Sequence, residues 1–366
     1  MAGIRINAEH CVRALSKFST CESCVTSCPT NAIAITEQLP SLNLSLCVGC
    51  GACVGVCPTE ALVVDDFSPL ALFFSVLEED SALISCRKNI PCLSALHVEY
   101  LIALSILKKG IVFDMGHCDT CEIATVCLTQ IKARVEEANY VLEAANQRAR
   151  VSMEMRAYEA EKSENAPQRR DFFKAINLQG VARAKADFER QVEIATDSFV
   201  QSSLNAQHIA TLRDKELGDK RKLLYTALKR VDHLETYHVI EGDAISFTSQ
   251  KLFDMSLCSA CQMCYRLCPT GALRSDARHS KIDFDPLACV KCALCHDVCE
   301  SDALSLSPSY NLKALFEPSI TRLATFNVKN CQECGVPFVS LQGQTLCVRC
   351  DQEEFAAKEL WGIGDE

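Results

Sequence analysis

Cysteine is where this chain concentrates its chemistry: 25 of its 366 residues carry a thiol. Eight lie in residues 1–66, five in 67–127, eight in 258–299 and four in 331–350, with none from 128 to 257. The best-formed run is Cys47-x2-Cys50-x2-Cys53-x3-Cys57-Pro58. Thiolates at this spacing wrap a tight loop around one iron–sulfur cubane, while the fourth is carried off by the chain toward a second. Gly49, Gly51 and Gly55 permit the close backbone approach and positive φ that such a loop needs. Pro58 has no amide proton and sends the chain out extended. Cys258-x2-Cys261-x2-Cys264-x3-Cys268-Pro269 repeats the run, and Cys289-x2-Cys292-x2-Cys295-x3-Cys299 repeats it with Glu300 in place of proline. The remaining run, Cys21-x2-Cys24-x3-Cys28-Pro29, is irregular, because Phe18 stands where its first cysteine would fall. The nearest upstream thiol is Cys11, read as the displaced ligand across an inserted loop. The competing reading is a three-iron cluster without it.

The four runs are echoes of one unit. Cys28-Pro29-Thr30-Asn31-Ala32-Ile33 returns as Cys57-Pro58-Thr59-Glu60-Ala61-Leu62, as Cys268-Pro269-Thr270-Gly271-Ala272-Leu273 and, weakened, as Cys299-Glu300-Ser301-Asp302-Ala303-Leu304. Residues 1–66 and 242–308 therefore resemble bacterial two-cluster ferredoxins. The resemblance implies four [4Fe–4S] clusters with crossed ligation. Cys11, Cys21, Cys24 and Cys57 would hold one cluster, and Cys47, Cys50, Cys53 and Cys28 its partner. In the second copy the sets would be Cys258, Cys261, Cys264 and Cys299, and Cys289, Cys292, Cys295 and Cys268. Zinc or bare thiols are the alternative chemistry.

A further set lies between the pairs. Cys86-x5-Cys92 follows one strand candidate, Ala82 to Ser85, and Cys118-x2-Cys121 follows another, Ile111 to Phe113. Parallel strands deliver their carboxyl ends to one sheet edge, where sites of open α/β folds form. Four thiolates there suit a [2Fe–2S] cluster. A redox-active dithiol at Cys118/Cys121 and a structural zinc are the other readings, and Cys127 is an extra candidate able to replace one of the four. Ile90-Pro91-Cys92-Leu93-Ser94-Ala95-Leu96, Gly110 and Gly116-His117-Cys118 make residues 68–145 resemble the delta subunit of methyl-viologen-reducing hydrogenase. That family links hydrogenase or formate dehydrogenase to heterodisulfide reductase through a [2Fe–2S] cluster. Last, Cys331-x2-Cys334 and Cys347-x2-Cys350 are two knuckles twelve residues apart, the pattern of a zinc ribbon. Rubredoxin iron is less suited, its loop being longer.

These thiols need a scaffold. The predicted fold is an α+β multidomain chain: ferredoxin-like 2[4Fe–4S] domains at 1–66 and 242–310, a small α/β domain, thioredoxin-like or related, at 67–128, a long helical insertion at 129–241, and a zinc-ribbon-like tail at 325–355. Ser68-Pro69 reads as a helix start, serine capping and proline at the first position. Ala95 to Leu107 has helical periodicity, with Gly110 as its terminator. Strand–helix–strand order predicts a parallel sheet. In 129–235, runs around Val135, Tyr140, Val141 and Leu142 and around Phe188, Val192, Ile194 and Phe199, broken at Asn165-Ala166-Pro167, predict long helices, such as a hairpin, acting as spacer or docking surface. Arg169-Arg170-Asp171-Phe172-Phe173-Lys174 imitates a twin-arginine signal but lies mid-chain with no apolar run after it, and reads as an amphipathic helix start.

The formal net charge of −10 argues against nucleic acid or an anionic membrane as partner. Odd cysteine count and CxxC spacing favour metal ligation in a reducing cytoplasm over disulfides. No secretory leader or membrane span is evident. His117 and His296 read as surface or hydrogen-bonding residues, and Trp361 as packing in preference to a docking anchor. No phosphate loop, dinucleotide fingerprint or nucleophile–base motif is present. The expectation is a non-catalytic subunit carrying single electrons between a formate dehydrogenase- or hydrogenase-like enzyme and an acceptor such as a heterodisulfide reductase-like component. The alternative is a thiol–disulfide or sulfur-transfer reductase fed by the clusters and using Cys118/Cys121. A redox sensor with the helical middle as output is a third.

Overall fold

The computed structural model describes residues 4–156, 215, 217–231, 236–317 and 319–361. In the first ferredoxin-type unit, strand Ile4–Ile6 pairs antiparallel with Leu62–Val64, and Ile33–Thr36 pairs with Leu39–Leu42. Glu37 and Gln38 close that hairpin with positive φ at both positions, the geometry whose twist matches the flanking strands. Two short helices, Val12–Leu15 and Ser23–Thr26, carry the early cysteines. The second unit repeats the plan with Lys251–Phe253 against Leu304–Leu306 and Leu273–Arg274 against Lys281–Phe284. Its hairpin gains a third strand, Thr321–Thr325, so its sheet extends beyond the predicted boundary at 310.

Between them the Ser68 hydroxyl accepts from the Ala71 amide and opens the helix Pro69–Glu78. Strands Leu83–Ser85 and Ile111–Asp114 pair in parallel, joined by the helix Val98–Lys108. That helix is buried from Val98 to Ser105, because the sheet lies on one side and the helix Asp219–Leu228 on the other. Lys109 and Gly110 both take positive φ to end it.

The predicted boundary at 128 is corrected by the sheet. Strand Val151–Glu154 joins Ile111–Asp114 in parallel, and the helix Ala124–Ala144 is the crossover that a parallel pairing requires. The α/β unit therefore runs to 156, and the 129–241 stretch is not a separate helical hairpin at its N-terminal end. The three strands are parallel and in sequence order, and nothing in them singles out a thioredoxin-like variant. The helix runs expected around Arg169–Lys174 and Phe188–Phe199 lie outside the described residues. The C-terminal part pairs Val328–Asn330 with Pro337–Val339 and ends in the helix Val348–Trp361, where Trp361 is 76% exposed instead of packed. Among the described residues no helix is long and apolar enough to cross a membrane.

Candidate metal centres

The three regular cysteine loops share one backbone conformation. The residue before the second cysteine and the residue after it both take positive φ: Gly49 and Gly51, Ala260 and Gln262, Lys291 and Ala293. This curls successive thiols toward one point. The irregular loop differs, since Cys11 caps its own short helix and Glu22 keeps a negative φ. All four runs agree again beyond the last cysteine, where Asn31, Glu60, Gly271 and Asp302 are left-handed. That turn aims main-chain N–H groups back at sulfur: Ala32 to Cys28 and Ala61 to Cys57, both at 3.2 Å, and Leu273 to Cys268 at 3.5 Å. Thr30, Thr59, Thr270 and Ser301 hydroxyls lie 3.7–3.9 Å from the same sulfurs. Donors directed at sulfur suit a thiolate that ligates metal.

The chain crossing brings the expected sets together. Burial, then Cys57, Cys21 and Cys11, push the Cys24 thiol up to about 12. Cys11 therefore lies beside Cys24 despite the inserted loop. Burial, then Cys24, Cys28 and Cys47, push Cys53 up to about 12. In the second unit Cys264 is pushed up to about 12 by burial and by Cys295, Cys261 and Cys258, and Cys258 also faces Cys299. Cys295 is raised to about 12 by burial, with Cys289 and Cys268 adding and Lys251 opposing. Cys292 is likewise raised by burial, Cys268, Cys289 and Cys295. Buried thiols that raise one another are costly to ionise alone, and a bound cation removes that cost. The residues present thus fit iron–sulfur clusters.

The fifth set also converges. Cys118, in the turn after Ile111–Asp114, is pushed up to about 11 by burial and by Cys86, Cys92 and Cys121. The Ser94 hydroxyl donates to Cys92 Sγ at 3.2 Å. Asp114, buried at the strand end, accepts from Ser85 Oγ at 2.8 Å and ties the two strand termini together. In the tail, one ligand atom each from Cys331, Cys334, Cys347 and Cys350 lies within 4.8 Å of the others. Main-chain amides of Cys334 and Cys347 hold the Cys331 thiol down to about 6. Four thiols at that separation fit a tetrahedral ion.

The sets follow one another through the molecule. Cys53 faces Cys24 across the first unit, and Cys264 faces Cys295 across the second. The units meet where Cys21 and Cys292 pack on one apolar cluster of Val12, Leu294 and Val298. Thr20 donates to Asp297 from its amide and its hydroxyl, both at 2.9 Å. Two cations that sequence reasoning missed clamp this arrangement. Lys220 Nζ donates to Cys57 O at 2.5 Å, and Arg221 donates to Cys289 O at 2.9 Å. Arg221 also pairs with Glu99 at 2.9 Å with both side chains fully buried. The signal was present: Lys220 and Arg221 lie on the stripe of Leu224 and Leu228, as Arg134 lies on the stripe of Cys127, Ile131 and Ala138. His296, beside Cys295, sits 2.6 Å from Lys251 Nζ and has its other ring nitrogen on Leu304 O, a hydrogen-bonding place as expected.

Comparison with known families agrees with the thiol geometry at two places. Residues 40–63 match the model of a 4Fe–4S binding domain, and residues 257–303 match that of a 4Fe–4S dicluster domain. The chain carries two ferredoxin-type 4Fe–4S domains. These domains are consistent with an iron–sulfur electron-transfer role. No curated protein and no solved structure matches the chain.

Proposed function

We propose that this chain is a fixed conductor of single electrons, with four [4Fe–4S] clusters and one [2Fe–2S] cluster in a row. The order would run from the Cys258/261/264/299 set through Cys268/289/292/295, Cys11/21/24/57 and Cys28/47/50/53 to Cys86/92/118/121. The succession of thiol sets through shared packing carries this reading, its last step being Cys50 and Cys92 against one apolar core where Gly51 meets Ala95. When bound, the clusters supply reversible one-electron chemistry; the protein holds them close and tunes them by hydrogen bonds, charge and burial. Ala32, Ala61 and Leu273 amides direct donors at cysteine sulfur, and Lys220 and Arg221 fix positive charge beside two cysteine carbonyls. The tail would bind zinc, which folds a segment too small for its own core.

Redox proteins are the proposed partners, with a formate dehydrogenase- or hydrogenase-like enzyme and a heterodisulfide reductase-like component favoured by the sequence resemblance of residues 68–145. A reductase acting through Cys118 and Cys121 is the lesser reading. Burial and thiol neighbours raise Cys118, whereas an attacking dithiol needs a lowered thiol. A cytoplasmic setting, with thiols kept reduced, belongs to the same proposal.

Anaerobic metal and sulfide analysis with EPR tests it. About sixteen irons in cubanes and a separate [2Fe–2S] signal that Cys92→Ser abolishes are expected, with roughly one zinc. Absence of that signal together with a Cys118–Cys121 disulfide would turn the assignment to the reductase.

A further inference from the structure

Three arginines are buried among the described residues, and two of them face a carboxylate: Arg13 lies 3.4 Å from Glu22, and Arg221 lies 2.9 Å from Glu99. The third, Arg134 in the helix Ala124–Ala144, has no carboxylate within ion-pair distance among the described residues. Its hydrogen-bond acceptors are neutral: Ser94 O, Leu96 O at 3.1 Å and Gln130 Oε1 at 3.4 Å. Glu137, three residues on, turns its carboxylate to the Ser246 amide at 2.6 Å and to the Ser246 hydroxyl at 2.8 Å. The Arg134 guanidinium stands where two thiol loops meet. On one side is the Cys92 loop, whose Ser94 accepts from Arg134 with its carbonyl and donates to Cys92 Sγ at 3.2 Å with its hydroxyl. On the other is Gly55, between Cys53 and Cys57, where a Cβ would lie 2.6 Å from Arg134 Nη1. Arg266 holds the same place in the second domain, two residues after Cys264, so the cluster loop itself accepts a side chain there. In the first domain that space belongs to Arg134. Gln130 adds a bond to Ser27 O at 3.0 Å, beside Cys28.

We propose that Arg134 is a buried counter-charge shared by the centres of the Cys28/47/50/53 and Cys86/92/118/121 sets, its fixed positive charge raising the midpoint potential of both. The proposal rests on the reading that these two sets ligate clusters. A guanidinium keeps its proton in a protein, so the charge is permanent. A buried cation is costly unless an anion faces it, because it has lost its hydration. The described residues offer Arg134 no such anion, whereas iron–sulfur centres ligated by four thiolates are net negative. Reduction adds a further negative charge, and a fixed cation nearby favours that state. Because Arg134 lies against both loops, it favours the electron on either side of the junction. One electron, supplied by a one-electron redox partner, leaves one centre as it enters the other; no bond changes and no proton moves. Arg221 differs, since Glu99 cancels its charge where it meets the second domain.

The test uses the full chain, purified anaerobically with its clusters, and a dithionite redox titration followed by EPR. Arg134→Gln keeps N–H donors for the carbonyls and removes the charge. The midpoint potentials of the [2Fe–2S] centre and of the neighbouring cubane are expected to move downward, while those of the second domain stay in place. Arg134→Lys keeps the charge and is expected to lie near the wild type. Unchanged potentials in Arg134→Gln at full iron content would overturn the shared counter-charge. An equal downward shift in Arg134→Lys would overturn it as well, by making the shape of the side chain decisive. Where Arg134→Gln loses iron, iron retained in Arg134→Lys supports the counter-charge, and iron lost in both overturns it. Failure of the underlying reading has a different mark: a [2Fe–2S] signal that survives Cys92→Ser.

Discussion

The two ferredoxin-type domains hold the same thiol lattice in different surroundings. At the position after the second cysteine the backbone has nearly the same φ in all three regular loops, 74° at Gly51, 71° at Gln262 and 61° at Ala293. The loop itself therefore accepts a side chain there. Gln262 uses its own to accept from Arg266 Nε at 2.9 Å. Gly51 is needed for another reason, because Ala95 of the α/β unit fills the space. The glycines of the first domain serve docking as much as cluster geometry. The second domain instead leaves Cys261 exposed, at the far end of the proposed row. One copy is built into the molecule, and the other presents an accessible terminus.

The largest expected effect breaks the equivalence at the displaced ligand. Cys11→Ser is expected to convert one cubane of the first domain to a three-iron centre, read by EPR and iron content; unchanged spectra would remove Cys11 from the set. Next comes the clamp between the domains. Glu99→Gln leaves Arg221 buried without its counter-charge and is expected to cost about 3–5 kcal/mol in chemical denaturation.

A smaller effect separates the loops. Gly51→Ala is expected to cost about 1–2 kcal/mol from its backbone alone and to loosen the contact with Ala95. Gln262→Gly is expected to stay within roughly 0.5 kcal/mol of wild type, because relief of positive φ is offset by the freer unfolded chain. Equal costs in both loops would erase the distinction. The smallest difference is expected in pH dependence. In the metal-stripped chain burial and neighbouring thiols push Cys24 and Cys53 of one domain, and Cys264 and Cys295 of the other, up to about 12 from 9 in the free thiol. Above pH 9 the unfolded state has released protons that the folded state still binds, so stability falls as pH rises from 9 to 12. Thermal melts across that window should show the steeper fall in the second domain, where burial and thiol neighbours raise Cys258 and Cys292 as well, with stability intact below 9.

Much of this was legible because local rules carry it. Ser68-Pro69 opens its helix through one side-chain cap, and the strand candidates before Cys86 and Cys118 pair in parallel. The end of the α/β unit was not legible, since Val151–Glu154 is a strand only by virtue of the neighbour it finds in Ile111–Asp114. The burial of Lys220 and Arg221 showed in the sequence only as their place on the Leu224 and Leu228 stripe, because charged residues opening a helix look solvated until a carbonyl cage and Glu99 receive them.

The sequence by itself determined the thiols and their spacing, and through them the chemistry open to each loop, because ligation in a tight loop depends on a few adjacent residues. The tertiary structure alone decided which loops face one another, that Cys11 comes beside Cys24 across its inserted segment, and that Gly51 meets Ala95 of the α/β unit. Those are relations between residues far apart in the chain, set by the packing of helices and sheets that no local spacing encodes.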